Sequence, residues 1–263
     1  MSDKTLIAWT DRTFNAAWGC VKVSPGCAHC YAELVARVKH SREKIWGPGE
    51  KRRTFGPKHW AEPVKWNRQA IKGGHSLRVF CGSMFDWLED HPTINDLRPQ
   101  LWQLIRDTPW LDWQLLTKRP ERILANLPDD WGDGFENVWL GTSIENNDYA
   151  WRADELRQAP GRIRFVSYEP ALGPLDQLDL TGIHWLIYGG ESGSKRRPED
   201  KQWARDIMGR CRTAGVAFFH KQSSAFYTER GVELDGVVYH EFPIPCRPTS
   251  PNPTMRTAAT VEV

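Results

Sequence analysis

Short apolar runs recur through the chain, each closed by polar residues or glycine and separated by stretches of helical period. The segments 77–81, 112–117, 137–141, 163–167, 183–188 and 216–220 read as strands. Between them, 95–107 is helical, with Leu97, Leu101, Leu104 and Ile105 setting the period. Further helices are expected near 121–126, 148–158 and 199–214. Upstream, residues 6–20 read as a short strand that enters a cysteine-rich loop, where Pro25-Gly26 forces a turn. A helix over 31–44 would put Leu34, Val35 and Val38 on one face, and Gly47-Pro48-Gly49 ends it. The stretch 47–63 reads as irregular and basic, with a short helix over 63–71 before Gly73-Gly74. Near the C-terminus, 231–242 reads as a hairpin turning at Asp235-Gly236.

Strands alternating with helices predict parallel βαβ units. Seven candidate strands joined by short connections suit an α/β fold, a partial or full TIM-like (β/α) barrel of about six to seven parallel strands. The barrel would span residues 1–230, with a basic, aromatic insertion at 39–75 after the first helix. Residues 231–263 would add the hairpin and a proline-rich, poorly ordered tail. In such barrels the C-terminal strand ends form the active face. Here those ends carry Gly82 to Asp86, Lys118-Arg119, Ser143 and Glu145, Tyr168-Glu169, Gly189-Gly190-Glu191 and Lys221-Gln222.

Composition narrows the class. At 263 residues the chain can bury a large core, and 40% hydrophobic with 26% charged residues is an ordinary globular balance. No apolar run reaches about 18 residues, and the N-terminus lacks a secretory pattern, so a cytoplasmic protein without a membrane partner is expected. The net charge of +2 does not by itself call for nucleic acid. Its distribution says more: between Lys39 and Lys72 stand ten Lys or Arg and three acids, interleaved with Trp46, Phe55, His59, Trp60 and Trp66. That stretch reads either as a solvated insertion whose tryptophans pack on the barrel or as a surface facing DNA, RNA or a nucleotide. In the second reading Arg52 and Arg53 are charges whose loss weakens binding.

Three of the six cysteines, Cys20, Cys27 and Cys30, lie within eleven residues in a C-x6-C-x2-C spacing. In a reducing compartment such clusters read as ligands of a soft metal, iron–sulfur or zinc. A closed zinc site needs four ligands. His29 is an awkward fourth, and Cys81 is solitary. Cys81, Cys211 and Cys246 have no partner spacing and read as core or loop residues. An iron–sulfur cluster held by three cysteines leaves one iron open for a ligand.

The loop resembles that of the radical S-adenosylmethionine superfamily, with His29 at the place where an aromatic usually precedes the last cysteine. The first interval departs, with six residues instead of the commoner three. Trp18-Gly-Cys20, Ser24-Pro-Gly-Cys27, Leu116-Thr-Lys-Arg-Pro120, Val138-Trp-Leu-Gly-Thr-Ser143, Gly189-Gly-Glu-Ser-Gly193 and Phe218-Phe-His-Lys-Gln222, spread over roughly 8–225, look like a phage- and prophage-associated radical-SAM-like family of unknown function. The resemblance implies a [4Fe–4S] cluster on Cys20, Cys27 and Cys30 and S-adenosyl-L-methionine on the open iron. It also implies an electron donor such as a flavodoxin or ferredoxin. By position, Ser83 and Asp86 would hold the methionine amino group and Ser143 and Glu145 the ribose. Gly189 and Gly190 would let backbone approach the adenosyl part. Lys118, Arg119, Glu169, Glu191 and Lys221, with Gln222, are the substrate-facing candidates. Tyr168 reads as a packing residue or a hydrogen donor. The function so implied is reductive cleavage of S-adenosylmethionine followed by hydrogen abstraction, with a nucleic acid or nucleotide as substrate class. The alternatives are a zinc-binding nucleic-acid module without catalysis and a hydrolase or lyase barrel with regulatory cysteines.

Overall fold

The computed structural model describes residues 5–39 and 44–243. Cys246, the tail after it and the predicted helical residues 40–43 lie outside the described residues. In chain order the elements are β1 (Arg12–Phe14), β2 (Ala17–Trp18), α1 (Tyr31–Lys39), β3 (Arg53–Thr54), α2 (Pro57–Trp60) and α3 (Glu62–Gly73). There follow β4 (Leu77–Cys81), α4 (Pro92–Asp107), β5 (Leu111–Thr117), β6 (Val138–Ser143), α5 (Trp151–Gln158) and β7 (Ile163–Tyr168). The chain continues with β8 (Trp185–Gly189), α6 (Lys201–Ala214), β9 (Ala217–Gln222), β10 (Glu233–Leu234) and β11 (Val237–Val238).

Seven strands form one parallel sheet in the order β1-β4-β5-β6-β7-β8-β9. Each neighbour is the next strand of the sheet along the chain, the order of a singly wound barrel. Among the described residues β1 and β9 do not pair, so the fold is a partial (β/α) barrel. No helix among the described residues is long and apolar enough to cross a membrane.

Both faces of the sheet are covered, which is why its strands read as nearly continuous apolar runs. Val79, Cys81, Trp113, Leu115, Leu140, Val166, Leu186 and Phe218 point towards α3–α6 and share a core with Ile94, Leu101, Ile105, Leu156 and Ile207. The alternate positions fill the concave side with Phe80, Trp139, Phe165, Trp185, Ile187 and Phe219. Gly141 is required there: a Cβ on it would stand 2.2 Å from the Phe165 ring. Trp9 enters the same cluster from the segment before β1, against Phe80, Phe165 and Trp185.

Several expectations need correction. The strand expected over 6–20 is two short ones, because the chain before Arg12 carries Trp9 into the concave core. The stretch 47–63 is not irregular throughout. β3 pairs antiparallel with β2, and Pro57 opens α2 at a position where its missing N–H costs nothing. The region 120–126 is two separate 3-10 turns. The apolar face expected on α1 is misplaced: Leu34 and Val38 are 59% and 78% exposed, while Ala32 and Ala36 are buried. The small alanines let the helix lie close to Ile45, Met84 and Trp46. The hairpin is β10–β11, with Asp235 and Gly236 both at positive φ (54° and 78°), as a two-residue primed turn demands. Leu234 is buried in the barrel's outer core, and His220 N–H bonds Tyr239 O at 2.8 Å.

Candidate active site

Along β5, β6, β7 and β9 the concave face becomes polar near the C-terminal end. Phe219 is followed two residues later by Lys221, Phe165 by Ser167 and then Glu169, Gly141 by Ser143, and Leu116 by Lys118. The period of two keeps each pair on one face. Above this polar tier opens a cavity of about 570 Å³. It is lined by Cys20, Cys27, Cys30 and His29 on one side and by Ser83, Lys118, Ser143, Glu169, Gly190 and Lys221 from the strand ends. Trp9, Trp18, Trp46, Phe55, Tyr31 and Phe80 supply its apolar surface.

Three sets of ionic contacts hold the cysteine loop over the sheet. After β4, Asp86 Oδ2 accepts from Arg119 at 2.7 Å and from Lys118 N–H at 3.0 Å, and Oδ1 accepts from Thr117 Oγ1 at 2.7 Å. Arg119 in turn donates to Val21 O at 3.0 Å and lies 3.8 Å from Cys20 Sγ. After β6, the fully buried Glu145 accepts from Ser24 Oγ at 2.6 Å and from Arg152 at 2.9 Å, and pairs with Lys118. After β8, Glu191 pairs with Arg197, which also reaches Pro25 O at 3.1 Å, and lies 3.2 Å from His29 Nδ1. Gly26 fits beneath Glu145 only because it lacks a side chain, since a Cβ would stand 2.4 Å from Glu145 Oε1. Gly19, at φ 116°, brings Cys20 into place under Ile45 O, which a Cβ would meet at 2.1 Å.

These contacts set the ionisation of the site. Burial raises the Glu145 carboxyl, but the charges of Lys118 and Arg152 outweigh it and hold the group below its ordinary value. Burial likewise acts upward on Glu191, and the hydrogen bonds from Arg197 reverse it. Burial, with the nearby Asp86 charge, pushes the Cys20 thiol up to about 12, and burial also raises Cys30. Metal binding would therefore displace protons from these thiols.

The structure brings the three cysteines to the cavity that the strand-end candidates also line. Ser83 and Ser143 line it, Ser83 within hydrogen-bond reach of Asn15. Asp86 and Arg119 line it too, yet their polar atoms are engaged with each other and with the loop. Glu145 lies behind the loop. Gly189 and Gly190 are glycines for the protein's own packing. A Cβ on Gly190 would meet Ser224 N at 2.3 Å, and one on Gly189 would meet Glu169 at 2.9 Å. Glu169 and Lys221 pair across the cavity wall. Gln222 turns away, bonding Gly190 O, Thr228 and Glu229 N–H. Tyr168 is buried, its hydroxyl donating to Gly173 O, and burial raises its pKa. Sequence reasoning missed Ser24, Arg152, Arg197 and Glu229. Ser24 meets Glu145 121 positions away and Arg197 meets Pro25 172 away, while Arg152 and Glu229 meet Glu145 and Gln222 seven positions off across loops that carry no regular period.

The donors the loop offers to a soft metal group are thiols. Cys20, Cys27 and Cys30 are free thiols, and Cys81 sits in the outer core. A lone zinc needs about four donors round one point. Among the described residues no three His, Cys, Asp or Glu side chains converge to hold one ion. A cluster places each thiolate on a different iron, so its ligands need not meet at a point.

Much of the basic insertion is structural. Trp60 and Trp66 are buried in the core. Arg52, expected as a surface charge, is a correction: it is buried, bidentate to Glu89 at 2.7 and 2.8 Å, and donates to Ile45 O and Gly47 O. Arg53 lies over Trp18 and Phe55. Lys51, Lys58, Lys65, Arg68 and Lys72 are exposed.

A family model described as a protein of unknown function (DUF5131) matches residues 4–243. No curated protein matches the chain. Among solved structures, a spore photoproduct lyase mutant with bound AdoMet and dinucleoside spore photoproduct is similar at a TM-score of 0.44 and 14% identity. The match covers 75% of this chain, which spans 60% of that one.

Proposed function

We propose, for a chain that belongs to the DUF5131 family of proteins of unknown function, the activity of a radical S-adenosylmethionine enzyme. The observation that carries the reading is the placement of three free thiols, Cys20, Cys27 and Cys30, at one side of a cavity over the C-terminal strand ends of a partial barrel. In this reading the three cysteines hold a [4Fe–4S] cluster. With S-adenosyl-L-methionine bound, that group supplies one-electron reductive cleavage of the sulfonium and a carbon radical that takes hydrogen from the substrate.

The chain's own residues fix the loop, present hydroxyls and keep water out. The Asp86–Arg119, Glu145–Arg152 and Glu191–Arg197 pairs set the loop's position before any ligand arrives. Ser83 and Ser143, beside the cysteines, are the hydroxyls offered to S-adenosylmethionine. Trp9, Phe80 and Leu116 close the cavity floor against water. Lys118, Glu169 and Lys221 face the remaining space and are assigned to the substrate. The electron donor is assigned to the flavodoxin or ferredoxin class. The exposed Lys51, Lys58, Lys65 and Lys72 of the basic insertion suit a nucleic acid or nucleotide as substrate.

The test is turnover. Reduced, reconstituted protein incubated with S-adenosylmethionine should release 5′-deoxyadenosine, and Cys27→Ala should abolish the release. Equal release from the variant would remove the cysteine loop from the chemistry.

A further inference from the structure

The same cavity has a corner that the ionic scaffold of the loop does not use. Glu169, just after β7, and Lys221, on β9, form an ion pair there across the end of the intervening β8. Glu229 lines the same cavity from the turn after β9. Its backbone is held at φ 57°, a conformation uncommon for a residue with a side chain. The turn is pinned in that shape. Gln222 Oε1 accepts from Glu229 N–H at 2.7 Å and Thr228 Oγ1 at 2.9 Å, and Ser223 N–H donates to Gly231 O at 2.9 Å.

The carboxyl so placed takes a backbone hydrogen bond from Ala8, but one of its oxygens is left over. Glu229 Oε1 is buried and has no hydrogen-bond partner among the described residues. Such an atom costs stability unless something fills it. Burial raises the Glu229 carboxyl; the Lys221 charge acts against it and Glu169 adds to it. The corner therefore holds two carboxylates and one ammonium.

We propose that this corner recognises the substrate by a nucleobase edge that carries a ring N–H beside a carbonyl. Glu229 Oε1 accepts from the N–H, and Lys221 donates to the carbonyl. Charge disfavours an anion: a phosphate or carboxylate would be repelled by Glu169 and Glu229. A neutral edge with one donor and one acceptor satisfies both groups. Guanine, thymine and uracil present that edge. Adenine and cytosine have a bare ring nitrogen at the corresponding place. The indole of Trp9, three residues before β1, gives the same cavity an aromatic surface. The assignment rests on the proposed function only in placing the substrate in this cavity.

The experiment is a binding comparison on the full chain, with and without reconstituted iron and sulfide. Guanosine and thymidine are titrated against their ring-N-methylated forms, 1-methylguanosine and 3-methylthymidine, by calorimetry. Methylation should weaken binding at least about tenfold, the usual consequence of losing one hydrogen bond to a charged group. Glu229→Gln and Lys221→Met should each shrink that ratio while leaving thermal stability within a few degrees. Equal affinity for methylated and unmethylated nucleosides, or a preference for adenosine or cytidine, overturns the proposal. A protein that holds no cluster but keeps the methylation penalty contradicts the enzyme reading and leaves this one standing. A loaded cluster without the penalty does the reverse.

Discussion

Removing the Glu145 carboxylate should loosen the cysteine loop and destabilise the fold. The group is completely buried and is shared by Ser24 of the loop, Lys118 after β5 and Arg152 of α5. The Arg152 side chain is only 2% exposed, and its Nε already lacks a partner among the described residues. In Glu145→Ala the guanidinium would keep Ser143 O and the neighbouring Tyr149 ring. Removing one member of a buried ion pair typically costs about 3–5 kcal/mol. At about 2–4 °C per kcal/mol for a chain of this size, Tm should fall by roughly 6–20 °C. Ser24→Ala removes only a charge-assisted hydrogen bond, about 1.5–3 kcal/mol. The two should be non-additive, because they share one contact. The sign with pH follows from the lowered carboxyl: its contribution is complete above the ordinary value of 4.5 and is lost as pH falls through the folded-state value. The gap between wild type and variant should therefore narrow in acid. Calorimetric melts at pH 7 and pH 4, with iron content measured on the same samples, check both effects. A variant within about 2 °C of wild type at pH 7, with unchanged iron, would refute the role given to Glu145.

Gly26→Ala should displace the loop without touching a charge, because the new methyl meets Glu145 at 2.4 Å; iron content after reconstitution should drop while the far-UV spectrum is kept. Arg52→Met leaves Glu89 buried and unpaired, so a loss of about 3–5 kcal/mol is expected in denaturant unfolding. Burial lowers the pKa of His184, His220 and His240 below the ordinary 6.5. Their stabilising contribution is present above that value and declines as pH falls through it, so Tm should drop between pH 7.5 and 5.5; a flat or rising profile would contradict the burial argument.

The parallel strands were legible because burial on both faces makes them short, dense apolar runs, and because the polar residues begin where each run ends. Asp235-Gly236 was legible for a local reason, since a primed turn needs two residues tolerant of positive φ. The face of α1 was not, because close approach to Ile45 and Met84 selected Ala32 and Ala36 over the larger Leu34 and Val38. A count of charges made Arg52 a surface residue, when its partner Glu89 stands 37 positions away. The cysteines, and most strand-end residues around them, were visible as types and positions. What each one does depends on contacts such as Ser24 with Glu145, 121 residues apart, and Arg197 with Pro25, 172 apart. Asp86 and Glu145, expected to hold a cofactor, are occupied in holding the loop. Glu229 carried no signal in the sequence beyond an ordinary polar turn.

The most direct test of the proposed chemistry is the metal content of the full chain purified without oxygen. Iron and acid-labile sulfide should each reach about four per chain, giving a brown protein. Cys20→Ala, Cys27→Ala and Cys30→Ala should each lose them while keeping the wild-type fold. A colourless protein with one zinc per chain, or iron unchanged in all three variants, would contradict the assignment of the cysteine loop to a cluster.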